Sequence, residues 1–339
     1  MLHGHGDDGY LYQKQIQADF STNVWYGGEP AGLKEHLFSI WPSINKYPEV
    51  VAEGLVEKLS HHHQLPADSF LINNGSTESI YLVAQAFEGR KTAITIPAFA
   101  EYQDACKMYE HQISFIRWEE LRADLIINAD ILFICNPNNP TGYAIQNMEA
   151  IIRANPGVLF VVDEAFIEFT LAIDSLISLA SHLENLIILR SLTKAYAIPG
   201  LRLGYIVAAK EIIEKLRSLK YPWSVNTLAV EAGKFIFDNY NSIQIPLNQL
   251  LEEKIRFSEL LRTTGINVFD SSTHFFIAET PKYTAADLKR FLIDNFGILI
   301  RDASNFKTLE AKHFRLATLE ADKNELLIKA MKEWMSSGY

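Results

Sequence analysis

Short apolar runs alternate with longer amphipathic stretches from about residue 70 to residue 220. This alternation is typical of a mostly parallel β-sheet with helices on both faces. Runs that are apolar throughout, such as residues 158–162, favour strands that are buried on both sides. The predicted strands are residues 70–72, 93–96, 113–116, 131–135, 158–162, 186–189 and 203–207. The predicted helices between them include residues 76–87, 100–110, 146–154 and 211–219.

The pattern changes near residue 240, where a long amphipathic helix is predicted at residues 247–263. The segments after it are predicted as strands at 267–269, 274–278, 298–300 and 314–317, with helices near 285–295 and 322–335. We therefore predict an α/β protein in which a three-layer large domain, residues 26–240, precedes a smaller α+β domain, residues 241–339. Residues 1–25 are Gly-rich and lack periodicity, which predicts an arm rather than core.

The 339-residue chain is 48% hydrophobic and 21% charged, which is ordinary for a globular protein. Its formal net charge of −10 argues against a general nucleic-acid binder, because such a protein needs a basic face. The net charge does not exclude an anionic substrate, since a few arginines in one pocket can outweigh negative charges elsewhere on the protein. Cys106 and Cys135 are the two cysteines, and both lie in apolar segments, which predicts a reduced, cytoplasmic protein. We expect no membrane partner, because no apolar run approaches the ~18 residues that a bilayer requires.

Two short motifs suggest sites that their context does not support. Residues 4–9 match G-x-G-x-x-G, but no strand precedes them and no helix follows, so no dinucleotide site is expected. His61, His62 and His63 are adjacent, whereas neighbours on one helix face are three or four residues apart. We therefore predict a solvated helix end there and no metal site.

Polar clusters directly follow three of the predicted strands, at residues 136–142, 163–166 and 191–194. In open α/β sheets, ligands bind beyond the carboxyl ends of the strands. We therefore expect that Asn139, Asp163 and Lys194 meet in one crevice, although they are far apart in the sequence.

The chemistry of these clusters is complementary. A lysine in a pocket can form a Schiff base with an aldehyde, and a buried carboxylate can keep a pyridine nitrogen protonated. Ser191, Arg202 and a helix start at residues 75–77 offer binding groups for a phosphate. Tyr102 offers a flat face for an aromatic ring. Aldehyde, pyridine nitrogen, phosphate and ring together describe pyridoxal 5′-phosphate.

Each of these residues has a plainer interpretation when it is taken alone. Asp163 is also suited to cap a helix, Tyr102 to fill a core and Lys194 to carry a surface charge. Their joint occurrence in order, each after a strand, favours the cofactor site.

Longer stretches resemble a known family: residues 73–78 (NNGSTE), 97–102 (PAFAEY), 136–142 (NPNNPTG), 163–166 (DEAF) and 191–205 (SLTKAYAIPGLRLGY). Over nearly its whole length the chain resembles the fold-type I pyridoxal-phosphate enzymes of the class I/II aminotransferase superfamily. It is similar to the branch that holds histidinol-phosphate aminotransferase and threonine-phosphate decarboxylase. The markers of that branch are residues 19–23 (DFSTN), 47–48 (YP), 222–226 (PWSVN) and 300–306 (IRDASNF).

The resemblance implies a role for each matching residue. Lys194 and Asp163 would be catalytic, because Lys194 would bind the cofactor's aldehyde carbon and Asp163 would pair with its pyridine nitrogen. Tyr102 would stack on the ring, and Asn139 would bond the phenolic oxygen. The cofactor phosphate would be held by Gly75, Ser76, Thr77, Ser191 and Arg202, and by Tyr47 from the neighbouring subunit of a homodimer. The substrate, a small phosphorylated amino acid, would be bound by His5, Gly6, Asn23, Asn139, Arg301 and Arg315.

Three features favour the decarboxylase within this branch. They are His5-Gly6 in the arm, the PWSVN stretch, and Phe166, which stands where most aminotransferases of the superfamily have a tyrosine. The resemblance then implies decarboxylation of L-threonine O-3-phosphate to (R)-1-aminopropan-2-yl phosphate, a precursor of cobalamin.

Three departures keep a histidinol-phosphate or related amino-acid aminotransferase as the alternative. Residues 25–28 (WYGG) replace the relatives' Asn-Pro-Leu-Gly, Thr318 stands where a further arginine is common, and His274 stands where asparagine is usual. A non-catalytic regulator that binds the same cofactor is a different class. The acidic charge, the lack of a helix-turn-helix extension and the presence of Lys194 count against it.

Overall fold

The computed structural model describes residues 6 and 8–336. Its strands are β1 (Ala18–Asp19), β2 (Phe70–Asn73), β3 (Lys91–Ile96), β4 (Gln112–Arg117), β5 (Ile131–Cys135), β6 (Leu159–Asp163), β7 (Leu186–Ser191), β8 (Gly204–Ala208), β9 (Asn267–Val268), β10 (Phe275–Glu279), β11 (Ile298–Leu299), β12 (Arg301–Asp302) and β13 (His313–Ala317). Its helices are α1 (Leu33–Ser39), α2 (Glu53–His63), α3 (Gly75–Ala86), α4 (Ala100–Met108), α5 (Met148–Ala154), α6 (Ile177–Ala180), α7 (Lys210–Leu219), α8 (Thr227–Asp238), α9 (Leu247–Thr263), α10 (Ala285–Phe296) and α11 (Ala321–Ser336). No helix in this part of the chain is both long enough and apolar enough to cross a membrane.

Within the described residues, seven strands form one large sheet in the order β2-β8-β7-β6-β5-β3-β4. Strand β8 is antiparallel to its neighbours β2 and β7, and the other pairs are parallel. Every residue of β5, β7 and β8 is buried, so both faces of the sheet centre are covered. The predicted α/β arrangement with a mostly parallel sheet is confirmed.

The predicted elements agree with the structure to within a few residues, but helices α1, α6 and α8 were not among them, and of α2 only the end at residues 61–63 was predicted. Helix α1 buries Leu33, and α2 buries Leu55 and Leu59. An apolar stripe of one or two residues is too short to reveal a helix by its periodicity.

A smaller antiparallel sheet has the order β12-β13-β10-β9. Its core contains Phe257, Phe276, Phe314 and Trp334, which bring together α9, both central strands and α11. The predicted α+β character of this part is therefore present, while the proposed boundaries at residues 25 and 240 stay predictions.

Ala18 and Phe20 also belong to this smaller core, so the expectation of an arm without core residues is wrong for this segment. Strand β1 pairs in parallel with β11, and the buried Phe20 ring lies 5.9 Å from that of Phe257. A two-residue strand shows no periodicity, so only its pairing with a distant segment reveals it.

Candidate active site

A cavity of about 280 Å³ lies where the carboxyl ends of the parallel strands meet the smaller sheet. Cys135 and Asp163, which end β5 and β6, line it from the large sheet. Arg301 and Arg315 line it from β12 and β13, and residues 21–24 also contribute to the wall. This is the edge at which an open α/β sheet binds ligands.

Asp163 is the buried carboxylate of the cavity. The Tyr102 hydroxyl donates to its Oδ2 at 2.7 Å, and the backbone N–H of Ala165 donates to its Oδ1 at 3.0 Å. Burial raises the pKa of Asp163 to about 6, and the bond from Tyr102 opposes that rise. Burial, and next the Asp163 charge, raise the pKa of Tyr102 well above its usual value, so this hydroxyl stays a donor. Each carboxylate oxygen keeps a lone pair for a further donor in the cavity.

Lys194 lines the cavity from the loop that follows β7. Its backbone oxygen accepts a hydrogen bond from the backbone N–H of Trp25 at 2.9 Å. At the start of this loop, the hydroxyl of Ser191, the last residue of β7, lies 2.8 Å from that of Thr193, and both residues are buried. The loop is therefore held both by the hydroxyl pair with the end of β7 and by Trp25, the last residue of the predicted arm.

The N-terminus of α3 lies at one end of the cavity, where Ser76 and Thr77 line it. Gly75 has a φ of 77°, and a Cβ there would lie 2.5 Å from Nη2 of Arg202. The backbone of Gly204 on β8 also lies close to this helix start, because a Cβ there would lie 2.9 Å from the backbone nitrogen of Ser76. The N–H groups of this helix start, the positive end of the helix dipole and the Arg202 guanidinium are together suited to bind an anion, and we refer to them as the anion cradle.

Arg301 and Arg315 lie opposite each other in the ladder between β12 and β13. Each has 6% of its surface exposed. Arg315 donates to Oδ1 of Asn139 at 2.5 Å and to the backbone oxygen of Ser21 at 2.6 Å. Burial, and next the Arg301 charge, lower the pKa of Arg315 to about 9. Two buried like charges repel each other, so an anion bound beside them would stabilise this arrangement.

Most of the predicted site residues line this one cavity: Gly6, Asn23, Ser76, Thr77, Tyr102, Asn139, Asp163, Lys194, Arg202, Arg301 and Arg315. Gly75 lies beside the cavity residue Arg202, and the Ser191 hydroxyl lies within hydrogen-bond distance of that of the cavity residue Thr193. Tyr47 does not line the cavity, since it is 83% exposed and its ring lies 5.2 Å from that of Trp223. His5 lies outside the described residues. The roles of these residues remain predictions.

Sequence reasoning did not select several residues of the wall. The backbone oxygen of Ser21 holds Arg315, and the Phe306 ring centre lies 5.2 Å from the Arg301 guanidinium carbon. Phe306 stands in the IRDASNF stretch, so a signal for it was present. Ser21 likewise stands in the DFSTN stretch, but no local pattern predicts that its backbone oxygen contacts Arg315, because that contact depends on long-range packing.

Comparisons with known proteins show the family of the chain. The family described as aminotransferase class I and II matches residues 17–331. A threonine-phosphate decarboxylase of Salmonella typhimurium is 34% identical over 331 residues, which cover 93% of this chain and 90% of that protein. A histidinol-phosphate aminotransferase of Thermoanaerobacter sp. is 33% identical over 308 residues, which cover 86% of this chain and 84% of that protein.

A solved structure is also closely similar. The L-threonine-O-3-phosphate decarboxylase from Porphyromonas gingivalis superposes with a TM-score of 0.90 at 36% identity, and the match covers 94% of this chain and all of that one. The chain therefore belongs to the family of class I and II aminotransferases.

Proposed function

We propose that this chain is a pyridoxal-phosphate-dependent decarboxylase that converts L-threonine O-3-phosphate to (R)-1-aminopropan-2-yl phosphate and carbon dioxide. One observation carries the proposal: a single cavity has a lysine, a buried aspartate and an anion cradle on one side and two buried arginines on the other. Such a cavity suits an amino acid with a second anionic group. The choice of phosphothreonine is supported by the two decarboxylases named above, at 34% and 36% identity.

The large-sheet side of the cavity fits pyridoxal 5′-phosphate. Gly75 leaves open the space that a Cβ would fill beside Arg202, at the positive end of α3. Asp163 is a buried carboxylate with lone pairs left for a ring N–H. Ser76, Thr77, Ser191 and Arg202 would hold the phosphate, Asn139 the phenolic oxygen, and Tyr102 would lie against the ring.

When bound, the cofactor supplies an aldehyde that condenses with an amine and a ring that takes up the electrons of a breaking bond. Lys194 provides the amine at the resting site. The same side chain would return a proton to the substrate's Cα, in the place that the departing carboxylate leaves. The Asp163 carboxylate holds the proton on the ring nitrogen, and the donors Tyr102 and Ala165 keep that carboxylate in place.

The other wall would bind the substrate's two anionic groups. Arg301 and Arg315 suit the carboxylate, since the planar guanidinium binds carboxylates in a bidentate manner. Asn23 lines the cavity, and within the described residues both polar atoms of its side chain are buried without a hydrogen-bond partner. A buried amide of this kind requires a polar partner. We assign that partner as the substrate phosphate, with Gly6, which also lines the cavity, beside it.

This hold at two points would choose the reaction. Asn23 binds the phosphate while the arginines bind the carboxylate. Together they orient the substrate so that the Cα–carboxylate bond breaks rather than the Cα–H bond. An Asn23→Ala variant should therefore release less carbon dioxide and transfer a larger share of amino groups. Asn267→Ala is the matched control, because Asn267 is exposed in the smaller sheet, where it bonds Glu279. An unchanged product ratio in Asn23→Ala would remove Asn23 from this role.

The decisive experiment incubates purified protein with phosphothreonine, with and without 2-oxoglutarate. Carbon dioxide and glutamate are measured separately. We expect carbon dioxide in both reactions and little glutamate. A second pair of reactions uses histidinol phosphate as the amino donor. Glutamate without carbon dioxide from either donor would favour an aminotransferase, like the 33% identical relative named above.

We further propose a cytoplasmic homodimer. Phe38, Trp41, Tyr47 and Trp223 are large apolar residues on the surface of the single chain, exposed by 63%, 51%, 83% and 46%. A second copy that covers them would bring Tyr47 to the neighbouring anion cradle. The free cysteines Cys106 and Cys135 are buried, which suits a reducing compartment. Sedimentation of the purified chain tests the dimer, and a monomer at micromolar concentration would contradict it.

A further inference from the structure

A buried lysine lies directly behind the anion cradle. Lys220 follows the last residue of α7, and α7 packs against α3. Its ammonium group donates to both carboxylate oxygens of Glu78, at 3.0 and 3.1 Å, and also to the Ser224 hydroxyl. The Lys220 side chain is 4% exposed and that of Glu78 is 24% exposed. The pair is therefore shielded from the solvent that weakens most surface ion pairs.

Glu78 is poorly placed for an anion cradle unless its charge is balanced. It stands in the first turn of α3, immediately after Ser76 and Thr77. Its Oε2 accepts a hydrogen bond at 2.5 Å from the backbone N–H of Asn74, the residue that precedes Gly75. The carboxylate therefore lies against the cradle loop itself, where it would repel a phosphate dianion.

We propose that Lys220 is a positioning residue of the cradle, which cancels the Glu78 charge and so sets the affinity of the cradle for a phosphate group. The inference rests on the proposed function, since it assigns the phosphate to this cradle. Lys220 itself touches no ligand in this scheme. It lets Glu78 hold the Asn74 N–H, and thus the shape of the loop, without adding a net negative charge beside the ligand.

Titration of the apoenzyme with pyridoxal 5′-phosphate, followed by the protein's tryptophan fluorescence at low ionic strength, measures this effect. Lys220→Met should raise the Kd about tenfold, because it leaves Glu78 uncompensated. Glu78→Gln should bind the cofactor at least as tightly as the unmodified chain. The double variant should return close to the unmodified Kd. Pyridoxal, which lacks the phosphate, should bind all four proteins alike.

Lys210→Met is the matched control, because Lys210 lies at the other end of α7 and pairs with Asp68 at 3.2 Å. It should not change either Kd. If Lys220→Met does not fold, Lys220→Arg and Glu78→Gln carry the test: Arg should preserve the Kd, and Gln should preserve or lower it.

The inference is overturned, while the proposed function stands, by a Kd unchanged in Lys220→Met or by an equal loss of affinity for pyridoxal and for its phosphate. A Glu78→Gln variant that binds the cofactor more weakly than the unmodified chain overturns it as well. If the unmodified chain binds neither compound, the proposed function itself fails and the inference falls with it.

Discussion

The two walls of the cavity are built in different ways. On the large-sheet wall, Asp163 and Ser191 are the last residues of two adjacent parallel strands, and Lys194 follows three residues later. On the opposite wall, Arg301 and Arg315 come from the smaller sheet, while Gly6 and Asn23 come from the start of the chain. One wall is thus a continuous strand edge, and the other joins segments that are hundreds of residues apart.

The difference has consequences for function. A fully buried strand such as β7 holds its terminal residues through ladder bonds and packing on both faces. On the opposite wall, Arg315 lies on the five-residue strand β13, but the rest relies on two-residue strands such as β1, β11 and β12, and on single hydrogen bonds such as that from Arg315 to Ser21. We therefore expect changes on the sheet wall to abolish the chemistry, and changes on the opposite wall to alter how the substrate is held.

The largest effect is expected for Lys194→Ala. Loss of the amine should lower turnover by at least about 10⁴-fold, on the scale of removing a covalent catalytic residue. Borohydride should then reduce no protein-bound cofactor, as followed by visible absorption and by mass spectrometry. Lys210→Ala, an exposed lysine, is the control. If Lys194→Ala turned over near the unmodified rate, the assignment of the chemistry to Lys194 and the large-sheet wall would be wrong.

Asp163→Asn keeps the shape of the side chain and removes its charge. Turnover should fall at least about 100-fold, the scale seen when an electrostatic stabiliser is lost. The Kd for the cofactor should change far less than kcat, because the cradle at α3 is untouched. Equal kinetics in the variant and the unmodified chain would reduce Asp163 to a structural residue.

Arg301→Met tests the opposite wall. We expect kcat/KM for phosphothreonine to fall about 30-fold, through the loss of a charged hydrogen bond to the carboxylate. The Kd for the cofactor should not change, because we assign cofactor binding to the large-sheet wall and substrate binding to this one. A parallel loss of cofactor affinity would mean that the walls act as one unit.

The smallest effect is a change in stability with pH. Because burial raises the pKa of Asp163 from 3.8 to about 6, the folded apoprotein holds this proton more tightly than the unfolded chain does. Asp163 therefore contributes stability below about pH 4, and that contribution is lost as the pH rises through about 6. We compare the free energy of unfolding of apo Asp163→Asn with that of the unmodified chain. From pH 5 to pH 8 this difference should grow by about 1 kcal/mol in favour of the variant. Urea unfolding measures the gain, and a constant difference across this range would count against the raised pKa.

Much of the large-sheet wall was readable from the sequence because its signals are local. An apolar run followed by a polar cluster predicts a strand with a functional end, and Asn139, Asp163 and Lys194 do line one cavity. The hydrogen bond from Tyr102 to Asp163 spans 61 positions, and no pattern in either segment predicts it. The same is true of the bond from Arg315 to Asn139.

The sequence by itself determined the alternation of strands and helices, the mostly parallel sheet and the chemistry at its strand ends. These follow from side-chain periodicity and from residue types within a few positions of one another. Only the tertiary structure decided that Phe20 joins the smaller core, that Arg301 lies opposite Arg315, and that Lys220 balances Glu78 behind the cradle. Each of these depends on contacts between segments distant in the chain, whose free energy comes from burial and pairing that local patterns do not encode.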